Sequence, residues 1–186
     1  MTINDPALQL RSPCLADAPA IAKLHVDVWR RTYADLAPAA AVHAIDYRLR
    51  LAHWTQLLTT PRPLTTATVA ERADHIVGFC LAGPPGDDVY GGRGEIKFLY
   101  VASGCQRQGI GRALLAAGAR GLATSGFQGV GLGVVEGNEP ACRFYEHLGG
   151  TVAGHYSDPG PIWRSSNRLY VWDNAVDLAR RCEGPR

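Results

Sequence analysis

The chain has 186 residues, 46% of them hydrophobic and 19% charged, a balance that suits one domain with one core and excludes a disordered polypeptide. The net charge is +2, and the basic residues form adjacent pairs only at Arg30-Arg31 and Arg180-Arg181, which excludes the basic surface of a nucleic-acid binder. In chain order, residues 7–12 alternate apolar and polar and predict a first strand. Asp17 then offers a helix cap, and Ile21, Leu24 and Val28 recur at helical spacing to about Tyr33. A break at Leu36-Ala37-Pro38 precedes a second helix expected over 39–58, with Ile45, Leu49, Trp54, Leu57 and Leu58. Residues 65–70 and 75–82 read as strands of a hairpin turning at Arg72-Ala73-Asp74, and 83–94 as a loop. An apolar strand at 95–101, an Ala/Leu-rich helix at 109–125, a strand at 129–135 and a short helix at 138–148 follow. That helix stops at Gly149-Gly150, and two last strands occupy 151–155 and 167–172. The tail from about residue 179 is expected to fray.

This order predicts a single domain over 1–186 of the α/β class, a mixed central sheet of about seven strands with helices on both faces. The five cysteines, Cys14, Cys80, Cys105, Cys142 and Cys182, are odd in number and lack Cys-x-x-Cys spacing. That argues against a disulfide framework or a zinc site and for a reducing compartment. The six histidines lack metal-ligand spacing, so no metal is expected. The start has no basic stretch followed by an apolar one, and no apolar run is long enough to cross a bilayer. The expectation is a cytoplasmic protein without membrane or nucleic-acid partners.

In the strand at 129–135, Gly129, Gly131 and Gly133 share one face, and the preceding helix presents Ala113, Ala116, Ala117, Gly118 and Gly121. Small residues on both elements predict close helix-to-sheet packing; the alternative is a glycine face that borders a ligand groove.

The segment richest in chemistry is Leu99-Tyr100-Val101 followed, after a short loop, by Gln106-Arg107-Gln108-Gly109-Ile110-Gly111-Arg112. A strand that enters a glycine-rich turn and then a helix presents backbone N–H groups and a helix dipole to an anion. The turn is not a P-loop, since Gly111-Arg112-Ala113 lacks the Gly-Lys-Ser/Thr ending, and it is not a dinucleotide fingerprint, since Leu114 stands where a third glycine is needed. A plain tight turn before a helix remains the bland alternative.

The pattern Gln/Arg-x-x-Gly-x-Gly/Ala after an apolar strand resembles the acetyl-CoA pyrophosphate motif of the GNAT (GCN5-related N-acetyltransferase) superfamily. Downstream, Asn138 and the helix with Phe144-Tyr145-Glu146, closed by Gly149-Gly150, resemble its second signature, and residues 94–101 its fourth strand. The likeness spans about residues 8–172. It implies the GNAT fold and transfer of an acetyl group from acetyl-CoA, as co-substrate, to the amine of a small molecule or a peptide N-terminus. A non-catalytic acyl-CoA-binding or sensing module is the alternative, and a homodimer is left open.

The resemblance also implies roles. The cofactor arm would lie along Phe98, Leu99, Tyr100 and Val101, with the Val101 N–H on the thioester carbonyl. The pyrophosphate would sit on Gln106, Arg107, Gln108, Gly109, Ile110, Gly111 and Arg112. Asn138 would contact the arm, or simply cap its helix. Tyr145 is the candidate acid for the departing thiolate, against a plain core aromatic, and Glu95 the candidate base for the amine, against a solvated carboxylate. Asp87, Asp88 and Glu136 are weaker bases. Trp29, Tyr33 and Tyr156 are acceptor-side candidates, with Trp54 and Trp163 behind them. Gly149-Gly150 replaces the family's frequent Gly-Phe, a change expected to enlarge the space beside that helix.

Overall fold

In the computed structural model, which describes residues 7–184, the chain runs β1 (Gln9–Arg11), α1 (Ala18–Thr32), α2 (Ala39–Ala44), α3 (Tyr47–Thr59), β2 (Thr66–Arg72), β3 (His75–Gly83), β4 (Gly94–Val101), α4 (Ile110–Thr124), β5 (Val130–Val135), α5 (Glu139–His147), β6 (Thr151–Asp158), β7 (Ser165–Trp172) and α6 (Ala175–Glu183). The strands form one mixed sheet in the order β1-β2-β3-β4-β5-β7-β6. Every neighbour pair is antiparallel except β4–β5. Helices cover both faces, as expected. On one, Ile21, Ala22, Trp54 and Leu57 of α1 and α3 bury Val69, Phe79 and Leu81. On the other, Leu114, Leu115, Tyr145 and Leu178 of α4, α5 and α6 bury Cys80, Ile96, Leu132 and Tyr170.

Capping decides several boundaries. The helix expected over 39–58 divides in two, because the Asp46 carboxylate accepts from the Arg48 and Leu49 amides at 2.6 and 3.2 Å and starts α3. Asp17 does not cap α1 with its side chain. Its carboxylate is taken by the Arg11 guanidinium, at 2.7 and 2.9 Å, and by the Cys14 amide at 2.7 Å. Arg11 thereby holds the Asp17 pKa down at about 2. The hairpin turns on Ala73 and Asp74, both left-handed at φ +51° and +60°, which is the two-residue geometry that suits strand twist.

As far as residue 184, the tail expected to fray is instead helix α6; residues 185–186 lie outside the described residues. Asn174 accepts from the Val176 and Asp177 amides at 2.9 and 3.1 Å, and Ala175, Leu178, Ala179 and Cys182 are buried at i, i+3, i+4, i+7 spacing. The glycines also divide differently from the packing expectation. On α4, Gly118 lies against Cys80 and Ile96, and Gly121 against Thr66, so the close approach is to β2, β3 and β4. The β5 glycines face the other way: a Cβ on Gly131 would strike the Tyr90 ring at 2.7 Å, and one on Gly133 the Tyr156 hydroxyl at 2.1 Å. No enlarged space lies beside α5 either, since the Trp172 indole sits 2.6 Å from where a Gly150 Cβ would be.

Candidate active site

Strands β4 and β5 pair only at Gly94–Val130 and Glu95–Gly131, and then part. The register of β4 against β3 explains why: Ala82 faces Ile96 and Leu81 faces Phe98, so Lys97 is an extra, bulged residue. A bulge bends its strand, and here the bend falls two residues beyond the last β4–β5 pair. The result is a cleft of about 1050 Å³ lined by Ile96 to Val101 on one side and Leu132 to Val134 on the other. Strand backbone groups that face this gap lack a neighbouring strand, so an extended ligand can pair with them.

The cleft ends at the glycine turn. Gln106, Arg107, Gly109, Gly111 and Arg112 line it, and so do Leu99, Tyr100 and Val101. Arg107 and Gly109 are left-handed, at φ +61° and +84°, which turns the chain sharply into the N-terminus of α4. The side chains of Gln108 and Ile110 do not line the cleft. Gln108 accepts from Arg72 at 2.5 Å and donates to the Gly104 carbonyl at 3.3 Å, while Ile110 is core. Only their backbone amides remain for an anion. Arg112 is braced from behind by the C-terminal helix, donating to the Gly184 carbonyl at 2.9 Å. Arg31 and Arg143 also reach the cleft and escaped sequence reasoning, because isolated arginines on different helices carry no local signal. Arg31 donates to Ser103 Oγ at 2.6 Å, tying α1 to the loop that follows β4.

Asn138 lines the cleft at the start of α5, and its side chain accepts only weakly from the Ala141 amide, at 3.4 Å. Both of its readings therefore keep a basis. Tyr145 is core and cleft wall at once. Its ring packs against Phe144, Tyr170 and Trp172 with centroids at 5.1, 6.0 and 6.0 Å, and burial raises its phenol pKa, with Tyr33 and two cysteines adding to the rise. No hydrogen bond to its hydroxyl is formed among the described residues.

Glu95 is not a freely solvated carboxylate. Oε2 accepts from the Gly86 amide at 2.8 Å and from Lys97 Nζ at 2.5 Å, and Oε1 accepts from the Tyr90 hydroxyl at 3.2 Å. It does not itself line the cleft, whereas Lys97, which bonds to it, does. The weaker bases are elsewhere: Asp87 accepts from the Val89 amide, Asp88 is exposed, and Glu136 pairs with His155 at 3.7 Å.

On the acceptor side, Tyr33 lines the cleft and interacts with the Tyr100 hydroxyl, and burial raises both phenols. Trp29 is buried behind Tyr33, at 5.0 Å between centroids, and Trp163 from the β6–β7 connection closes the trio at 5.7 and 6.0 Å. Trp54 is wholly core. Tyr156 does not line the cleft directly but donates to or accepts from Tyr90 at 3.0 Å, which joins it to Glu95. Among the described residues, no group of three or more His, Cys, Asp or Glu side chains is placed to hold a metal ion, and no helix is long and apolar enough to cross a membrane.

A model of the Acetyltransferase (GNAT) family matches residues 23–150. Over 138 residues, 74% of this chain and 76% of the relative, the sequence is 36% identical to YuaI, an uncharacterized N-acetyltransferase of Bacillus subtilis. It is 37% identical over 105 residues to the mycothiol acetyltransferase of Frankia alni, covering 53% of this chain and 31% of that one. Among solved structures, the PaiA N-acetyltransferase of Thermoplasma acidophilum in complex with coenzyme A superposes with a TM-score of 0.69 at 15% identity, over 90% of this chain and 99% of that one. YncA, a putative acetyltransferase of Salmonella typhimurium with acetyl-CoA, gives 0.66 at 20% identity, over 90% and 94%. These two share the fold of the present chain.

Proposed function

The chain belongs to the GNAT acetyltransferase family, and from that premise we propose that it moves the acetyl group of acetyl-CoA to the amine of a small molecule or a peptide N-terminus by direct attack. The observation that carries this reading is the parting of β4 and β5 at the mouth of the glycine turn. A phosphate-bearing, peptide-like cofactor needs both features side by side: backbone groups for its amides and an N–H cradle for its pyrophosphate.

In this reading the pantetheine arm lies along residues 98–101 and the pyrophosphate on the amides of 106–112, flanked by Arg107, Arg112 and Arg143. The Val101 N–H polarises the thioester carbonyl, and Asn138 contacts the arm. An alkylamine with a pKa near ~10.4 is mostly protonated at neutral pH, so its proton must be removed, and Glu95 is the base that receives it. Tyr145 faces the leaving sulfur. Its raised pKa keeps it protonated, while a free thiol titrates near ~8.5, so complete transfer from phenol to thiolate is uphill. Tyr145 therefore acts chiefly as a held hydrogen-bond donor to the developing thiolate.

The test is thiol release from acetyl-CoA across a panel of small amines and peptides with free N-termini. Amine-dependent release is expected. Tight acetyl-CoA binding with no release for any acceptor would replace the enzyme reading with a binding module.

A further inference from the structure

Glu95 does not itself line the cleft, so a proton leaving an acceptor there must cross a gap to reach it. Two groups bridge that gap. Lys97 lines the cleft and holds Oε2, but an ammonium has three donors and no acceptor, so it cannot take a proton from a substrate. The other route starts from Oε1. A carboxylate only accepts, so Tyr90 spends its proton on Glu95 at 3.2 Å, and the Tyr90 oxygen must then accept from Tyr156 at 3.0 Å. Tyr156 is held in the same sense by Asn167, whose amide oxygen accepts from Ser165 Oγ at 3.1 Å, leaving its amide nitrogen to donate toward Tyr156. Ser165, Asn167 and Tyr90 are all buried. Every hydrogen bond in the row therefore points toward Glu95.

The row meets the cleft wall where a side chain is missing. The Tyr156 hydroxyl oxygen occupies the place of a Cβ on Gly133, at 2.1 Å, and Gly133 is exposed and lines the cleft. On reading Glu95 as the base, we infer that Tyr156 is the cleft-side end of a relay that carries the acceptor's proton through Tyr90 to Glu95. The acceptor N–H bond breaks as an O–H bond forms at Tyr156; the proton of Tyr156 passes to Tyr90, and that of Tyr90 to Glu95 Oε1. The net change is one proton from nitrogen to carboxylate, with both phenols restored. Burial raises both phenol pKa values, so neither is ionised near neutrality and the shifts are concerted. The charged groups facing the pair are Glu95, Lys97 at its far oxygen, and Asp158.

The relay is tested with Tyr156→Phe, Tyr90→Phe and Glu95→Gln. Benzylamine, spermidine and an alanyl tripeptide serve as acceptors, with melting temperature as a folding check. The expected result is a fall in kcat of about tenfold to a hundredfold at pH 7 for each phenylalanine variant, with KM for acetyl-CoA unchanged. That deficit is expected to shrink as the pH rises from 7 to 9.5, most for the acceptor with the lowest amine pKa, because a growing share of each acceptor then arrives unprotonated. A loss equal at every pH assigns the pair a structural role and overturns the relay. So does wild-type kcat in a folded Tyr90→Phe protein when Glu95→Gln is inactive, and this second variant decides the matter if Tyr156→Phe fails to fold. Full activity in Glu95→Gln removes the base itself, a separate failure, and no thiol release with any of the three acceptors removes base and relay together.

Discussion

Gly111 offers a clean separation of binding from folding. Its φ is not in the left-handed region, and a Cβ built on it meets Phe144 Cζ at 3.4 Å and Val101 Cγ2 at 3.9 Å, ordinary contacts. Alanine therefore adds no clash, and at the start of α4 it removes some of the conformational freedom that glycine loses on folding. Gly111→Ala is expected to keep its melting temperature or raise it slightly and to bind acetyl-CoA within about threefold of wild type. Valine differs by two methyls. Phe144 and Val101 already touch the Cβ position, so at least one methyl projects into the cleft where the pyrophosphate is proposed to meet the turn. Losing one hydrogen bond to a charged group costs roughly 1.5–3 kcal/mol, so calorimetry should show Gly111→Val binding acetyl-CoA about 10- to 150-fold more weakly. Gly109 is a poorer probe, since at φ +84° any side chain strains the backbone and mixes the two effects. A folded Gly111→Val protein with wild-type affinity would show that the pyrophosphate does not sit on this turn.

Other outcomes follow from the same geometry. Tyr145→Phe is expected to lower amine-dependent turnover by roughly ten- to a hundredfold with an unchanged melting temperature, because its hydroxyl forms no bond among the described residues whose loss would be felt; a destabilised but fully active protein would take the residue out of the chemistry. Burial, then the charges of Arg50 and His53, push the His25 pKa down to about 2, so between there and ~6.5 the unfolded chain binds a proton that the folded one refuses. Stability should thus fall on acidification from just below pH 6.5, by about 1.4 kcal/mol per pH unit, and equal denaturant midpoints at pH 7.5 and 5.0 would contradict the neutral buried imidazole. Glu95→Gln is expected to leave acetyl-CoA affinity intact in calorimetry while cutting turnover by roughly two orders of magnitude; wild-type turnover would assign the carboxylate to bracing the loop at Gly86.

What could be read from the sequence was whatever is local. The turn from Gln106 to Gly111 and the Phe144-Tyr145 helix lie within short windows, and their glycines and aromatics mark them without knowledge of the rest. The surroundings of Glu95 were not legible: Tyr90 and Tyr156 meet across 66 positions, and only the sheet register brings them together over Gly131 and Gly133. The bulge at Lys97 was equally hidden, since one extra residue in an apolar strand leaves the hydrophobic pattern nearly intact. Two misses were avoidable. Asp46 and Asn174 are strong caps, and Ala175, Leu178, Ala179 and Cys182 keep a helical stripe that nearness to the chain end obscured.

The two residue pairs that join β4 to β5 give the sheet a seam. On one side of it lies a plate of four strands, β1 to β4, and on the other a plate of three, β5 to β7, each laddered within itself. Beyond Glu95 and Gly131 the plates are held by side-chain packing of α4 and α5 over their back, not by backbone pairing. In the proposed pose, an extended ligand in the gap would serve as a removable strand, supplying from outside the hydrogen bonds that the polypeptide leaves unmade. In that pose the bound molecule would be architecture as well as reactant, standing where the sheet lacks a strand.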